Sequence, residues 1–183
     1  MKTPRVSIIM ATYNRASLLE RSIEAIRSQT FQDWELIVSD DGSTDNTPEI
    51  MEEWEKKEKR IVYVRGGHRG IPQTYNQGLK KGAGEYFAMA DDDDPWADSE
   101  KLEKQIAFLD KHSDHVGCGS GMIVVNGDGV ELYRFLKPET DELIRDKMLF
   151  ANPMANATTM FRRSACAEVE WWTGRIAVAW NRR

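Results

Sequence analysis

The 183-residue sequence is short of several things that would have pointed elsewhere. It has two cysteines, Cys118 and Cys166, far apart and without CxxC spacing, so neither a disulfide framework nor a zinc-ribbon type of site is written into it. Free, buried thiols are expected. No apolar run approaches the roughly 20 residues that a membrane span needs, and Met1 to Arg5 lead into a stretch too short for a signal-peptide core. The expectation is a cytoplasmic protein, with peripheral contact at the inner membrane face left open. Basic excess is missing too: 25 Lys and Arg face 30 Asp and Glu, a formal net charge of −5, and the bases are scattered. That argues against a nucleic-acid surface. Acids become scarce late in the chain, where no Asp follows Asp146 and only Glu168 and Glu170 remain.

The charge deficit is local. Asp91 to Glu100 (DDDDPWADSE) hold six acids and no base, which leaves 25 bases against 24 acids, or +1, everywhere else. With 40% hydrophobic residues, the rest has the composition of one globular domain with a full core.

The first two thirds alternate strand-like and helix-like patterns, predicting an α/β domain with a mostly parallel sheet flanked by helices, Rossmann-like in its nucleotide-binding half. Strands are expected at Val6 to Met10, Glu35 to Ser39, Ile61 to Val64 and Tyr86 to Ala90. Leu19, Ile23 and Ile26 share one helical face, as do Leu102, Ile106 and Leu109. Thr47 as N-cap and Pro48 at the first helical position open a helix to about Lys57, and another runs from about Gln73 to Lys81. Val116 to Val125 and Val130 to Leu136 flank the turn Asn126-Gly127-Asp128-Gly129 as a hairpin. A helix over about Thr140 to Phe150 and a strand over Thr158 to Phe161 follow.

In open α/β sheets ligands bind at the carboxyl ends of the strands, and three polar clusters fall there: Ala11-Thr12-Tyr13-Asn14-Arg15, Asp40-Asp41-Gly42-Ser43 and Asp91-Asp92-Asp93-Asp94. Four adjacent carboxylates repel one another unless a cation neutralises them. Oxygen-only ligands suit Mg²⁺ or Mn²⁺, with diphosphate oxygens and water completing the shell; the competing reading is a solvated acidic turn at a helix start. Asp41 could bind a base or ribose, Tyr13 could offer a ring face to a nucleobase, and Arg15 could lend positive charge to a diphosphate.

At these residues the sequence resembles glycosyltransferase family 2, through VSIIMATYNR (6–15), SQTFQDWELIVSDDGSTDNT (28–47), NQGLKKGAGEYFAMADDDDPW (76–96), KLEKQ (101–105) and NPMANATTMFRRSA (152–165). The resemblance covers about residues 4 to 169, and a divergent tail, 170–183, holds three of the six tryptophans. It implies a GT-A fold and a nucleotide-diphospho-sugar donor, most commonly UDP-linked. It further implies that Tyr13 and Asp41 hold the nucleobase beside the backbone of Ala11 and Thr12, and that Asp93 ligates Mn²⁺ or Mg²⁺. Asp92 or Asp91 then meets the ribose or the ion's water shell, while Asn76 and Gly78 serve either donor contacts or packing. The implied reaction is inverting transfer to an acceptor hydroxyl, in polysaccharide or cell-envelope glycan synthesis; the acceptor, a glycan, a lipid-linked chain or a small molecule, is left open. The acidic base of the family has no counterpart here, so an incomplete acceptor side is expected, with a donor-binding module as the alternative. Asn156 stands where relatives often carry His. A sugar-phosphate nucleotidyltransferase would want a glycine-rich loop after the first strand, and Ala11 to Arg15 contains no glycine.

Overall fold

The computed structural model describes residues 3–148 and 150–168. The apolar runs become strands β1 (Val6–Thr12), β2 (Trp34–Asp40), β3 (Ile61–Arg65) and β4 (Tyr86–Asp91), and the amphipathic stretches between them become α1 (Ala16–Arg27), α2 (Thr47–Lys57) and α3 (Ile71–Lys81). Helix α4 (Lys101–Lys111) follows the acidic run. Strands β1 to β4 are parallel; β8 (Met160–Arg162) joins β4 antiparallel, and β5 (Gly117–Cys118) joins β8, giving the order β3-β2-β1-β4-β8-β5. The expected mostly parallel α/β sheet is what forms.

Strand pleating sends alternate residues to opposite faces, and both faces are buried, which is why these strands read as unbroken apolar runs. On one face Ile8, Met10, Leu36, Val38 and Ala88 pack against Leu19, Ile23 and Ile26 of α1, Met51 and Trp54 of α2, and Leu102, Ile106 and Leu109 of α4. On the other, Ile9, Ile37, Phe87 and Met89 meet Tyr75 and Leu79 of α3 and Cys166 of α6 (Arg163–Glu168). Cys118 is half-buried, Cys166 is buried, and both are free thiols. Among the described residues no helix is long and apolar enough to cross a membrane.

Three boundaries differ from expectation. Val116 to Val125 is not one strand: β5 ends at Cys118, and after Gly119-Ser120-Gly121 the chain starts β6 (Met122–Val125), which pairs with β7 (Glu131–Phe135) in a separate two-stranded sheet. Glycines interrupt strands cheaply because they adopt most backbone angles. Helix α2 caps at Asn46, with Thr47 and Pro48 inside the first turn, because the Asp45 carboxylate accepts the Thr47 amide at 3.1 Å. Near the end, Thr158 belongs to a 3-10 helix (Asn156–Thr158) and the strand begins at Met160; α5 (Asp141–Met148) precedes it with no buried residue.

Lys101 is 6% exposed on the sheet-facing side of α4. Its Nζ donates to Gln105 Oε1 at 2.8 Å and lies 4.0 Å from the centre of the Trp96 ring. Gln105 Nε2 donates onward to the Thr158 carbonyl (2.8 Å), and Trp96 Nε1 to the Ala157 carbonyl (2.9 Å), so the KLEKQ segment ties the acidic loop to the 3-10 helix. Among the described residues no carboxylate pairs with the ammonium. Burial therefore pulls the Lys101 pKa down to about 7, with the nearby Cys118 thiol, itself pushed up to about 11 by burial, opposing weakly.

Two outcomes follow for stability. Between pH 7 and pH 8 the unfolded chain keeps the Lys101 proton while the folded chain releases it, so the contribution of this group to stability rises with pH, by at most about 1.4 kcal/mol per pH unit. Lys101→Met loses that slope in chemical denaturation series; equal slopes in the two proteins would contradict the burial account. A Cβ at Gly84 would lie 2.5 Å from Ser7 N and 2.8 Å from Val6 C, both backbone atoms, whereas one at Gly127 meets nothing within 4 Å. Gly84→Ala costs about 1–3 kcal/mol and Gly127→Ala stays within about 0.5 kcal/mol, measured by the same denaturation.

Candidate active site

Parallel pairing sets Thr12 beside Asp40 and Ala11 beside Asp91, so the ends of β1, β2 and β4 lie flush at one edge of the sheet. The acidic run leaves that edge, and each of its first three carboxylates meets a different donor. Asp91 Oδ1 accepts from the Tyr75 hydroxyl of α3 (2.9 Å) and from Asn156 Nδ2 (2.6 Å), which also bonds the Tyr75 oxygen at 2.7 Å. Asp92 is buried, with Oδ2 accepting from Thr12 Oγ1 at 2.7 Å and its carbonyl accepting from Ser22 of α1 at 3.1 Å. Exposed Asp93 pairs with Arg15 at the start of α1.

Neutral donors orient carboxylates but leave their charge in place. Burial first, then the charges of Asp93 and Asp91, raise the Asp92 carboxyl, against the pull of Thr12 and Arg15. Burial and the same two neighbours raise Asp94. Burial and the Asp91 charge raise the Tyr75 phenol, so it stays protonated as a donor.

The second strand end is built differently. Asp40 is fully buried and structural: it accepts from the Ser43 amide (2.9 Å) and hydroxyl (2.6 Å) and from the Tyr63 hydroxyl (2.5 Å). Asp41 turns toward the loop after β3, accepting from the amides of Arg69 (2.7 Å) and Gly70 (3.0 Å), with His68 Nδ1 3.0 Å away. Burial alone would raise this carboxyl, but those amides, the Thr74 hydroxyl and His68 outweigh it and hold it below the usual range. Tyr13, 41% exposed, stacks on the His68 ring with centroids 4.6 Å apart. Between them Asn14 adopts a left-handed backbone (φ 53°), a conformation Asn tolerates better than most residues. Its side-chain oxygen accepts from the Thr44 amide at 2.8 Å, joining the β1 loop to the β2 loop.

A cleft of about 540 Å³ opens beside Asp41, lined by Arg65, Arg69, Gln73, Asn76, Gln77 and Lys80 among others. Asn76 thus falls on the Asp41 side of the site, away from the acidic run. Gly78 serves packing: a Cβ there would lie 2.8 Å from both Ile9 Cγ2 and Ser39 Oγ, where α3 crosses the sheet. His68, Tyr75 and the role of Asn156 had no sequence signal, because nothing in a pattern tells which loop folds over which strand end. Among the described residues the acidic run does not bring three ligand atoms within 4.8 Å of one another, which only His112, Asp114 and His115 do. Glu168 is the last described residue of α6, and Glu170 with the rest of the tail lies outside the described residues.

The strand-end arrangement has counterparts. Over residues 7–169 the sequence matches the description "Glycosyl transferase family 2". The Putative glycosyltransferase EpsE of Bacillus subtilis is 37% identical over 164 residues, 88% of this chain and 58% of that protein. The Putative teichuronic acid biosynthesis glycosyltransferase TuaG of the same organism is 32% identical over 170 residues, 91% of this chain and 66% of that protein. The crystal structure of S. aureus TarS 1-349 in complex with UDP superposes with a TM-score of 0.74 at 25% identity, covering 96% of this chain and 54% of that one. The chain therefore spans between about half and two thirds of the length of these proteins, and its architecture is of the GT-A type. With the family pattern running through the same strand ends that build the site, the chain belongs to glycosyl transferase family 2.

Proposed function

We propose that this chain holds a nucleotide-diphospho-sugar, UDP-linked, with its base between Tyr13 and the Asp41 loop and its diphosphate at the Asp91–Asp93 edge. The observation that carries the reading is the meeting, at one sheet edge, of an exposed aromatic ring, a carboxylate bound by backbone amides and three separately held carboxylates. The backbone of Ala11 and Thr12 lies beside the base, and Asn76 reaches the donor from the cleft side. Arg15 offers the diphosphate fixed positive charge. The UDP complex of TarS supports the choice of nucleotide, and the teichuronic acid relative supports a role in cell-envelope glycan synthesis.

A divalent ion, Mn²⁺ or Mg²⁺, fits the donor set. The run offers only oxygen ligands, and Asp92 and Asp94 are raised first by burial and then by the neighbouring carboxylates, a repulsion that a cation would relieve. Asp93, exposed and held by a side chain rather than by the backbone, would bind the ion, with Asp91 or Asp92 on the ribose or the ion's water shell. When bound, the ion would stabilise charge on the departing diphosphate. The work of this chain is to fix those oxygens in place before the donor arrives: Thr12 orients Asp92, while Tyr75 and Asn156 orient Asp91.

The reaction proposed is inverting transfer of the sugar to an acceptor hydroxyl, which needs a carboxylate to take the acceptor proton. A second reading is a donor-binding module with little transfer of its own.

Calorimetry with UDP separates these readings from a solvated acidic turn. Wild type binds UDP in Mn²⁺ and much more weakly in EDTA, and Asp93→Ala loses the Mn²⁺ dependence. Tyr13→Ala weakens binding by roughly 5- to 150-fold, the equivalent of losing about 1–3 kcal/mol of base stacking. Unchanged UDP affinity in Asp93→Ala would remove the metal assignment, and sugar transfer to an added acceptor would exclude the module reading.

A further inference from the structure

The groups that approach metal-ligand geometry lie away from the donor site. Helix α4 starts beside the acidic loop and runs back across the sheet for eleven residues, roughly 16 Å at 1.5 Å per residue, ending in the turn His112-Ser113-Asp114-His115. We propose that His112, Asp114 and His115 form a transition-metal site, of the class that takes Zn²⁺, at the edge of the sheet opposite the acidic run.

One ligand atom from each of the three side chains lies within 4.8 Å of the other two. Two imidazoles and one carboxylate suit Zn²⁺ and its neighbours rather than Mg²⁺ or Ca²⁺, which prefer all-oxygen shells. Three protein ligands leave one tetrahedral position for water. The turn is fixed in advance. The His115 amide donates to the His112 carbonyl at 3.1 Å, and Arg162 of β8 donates to the carbonyls of Leu109 (2.6 Å), His112 (3.2 Å) and His115 (2.9 Å). Arg162 pairs across the sheet with Tyr86, the first residue of β4, which places the turn at the far edge. Phe108 contacts both imidazoles, with centroids 4.5 Å from His112 and 5.4 Å from His115. His115 Nδ1 lies 3.1 Å from Asp114 Oδ1.

A bound ion would join the last turn of α4 to the entry of β5, two residues beyond His115. Its role is structural, because this edge carries none of the donor-site residues.

The test uses the full chain without a histidine tag, with Zn²⁺ itself as the probe in calorimetry and thermal melts. Wild type binds Zn²⁺ and melts at a higher temperature in its presence, while Mg²⁺ at equal concentration gives no such rise. His112→Ala and His115→Ala each weaken Zn²⁺ binding by about tenfold or more and abolish the rise; Asp114→Asn, at an exposed carboxylate, does the same without disturbing packing. Asp93→Ala retains both. Absence of Zn²⁺ binding by wild type would overturn the proposal. So would full affinity in the two His variants, or loss of affinity in Asp93→Ala, which would move the ion to the acidic loop. Metal-free melts of the His variants matching wild type show that the effect is not one of folding.

Discussion

Asp91, Asp92 and Asp93 can stand side by side at the end of β4 only because the fold meets each with a different donor, and most of the architecture exists to deliver those donors. Thr12 reaches Asp92 through the β1–β4 register, which sets Ala11 level with Asp91. Tyr75 reaches Asp91 because α3 lies close on the sheet at Gly78, where no side chain would fit. Asn156 reaches the same oxygen from the 3-10 helix, which Trp96 and Gln105 hold against the acidic loop and α4. Shift any of these elements and like charges are left facing one another in a poorly solvated corner, where their repulsion is largest.

The donors also differ in kind. Those on Asp91 and Asp92 are neutral hydroxyl and amide groups, which orient these carboxylates without adding a counter-charge. Asp93 instead has Arg15, a long and partly exposed cationic side chain. Asp41 follows a third pattern, locked by the amides of Arg69 and Gly70, which fixes the loop that carries His68 against Tyr13. The site thus combines carboxylates oriented by neutral donors with one that is paired to a cation, an arrangement suited to a ligand that is itself an anion bound through a cation.

Much of this was legible beforehand, for identifiable reasons. A parallel sheet buried on both faces writes itself as apolar runs followed by polar strand ends, so β1, β2 and β4 and their clusters could be read directly. What could not be read depended on contacts between segments distant in sequence. Tyr75 looked like one more residue of a helical face, and His68 sat in a glycine-rich loop whose path no local pattern sets. Gly78 carried two readings until its closeness to Ile9 and Ser39 decided for packing. Val116 to Val125 read as one strand by propensity, yet Gly119 and Gly121 let its halves join different sheets. The His112 turn carried no signal because its ligand atoms converge through a bend that Arg162 imposes from 50 residues away.

Under the proposed function, the carboxylates at the end of β4 hold the cation that accompanies the nucleotide. Paramagnetic broadening by Mn²⁺ in the presence of UDP tests it most directly, since broadening falls steeply with distance from the ion. Amide signals of Asp91 to Asp94, Thr12 and Arg15 should disappear first, while those of the α2 and β3 side of the core survive. Uniform or remote broadening that spares Asp91 to Asp94 would contradict it.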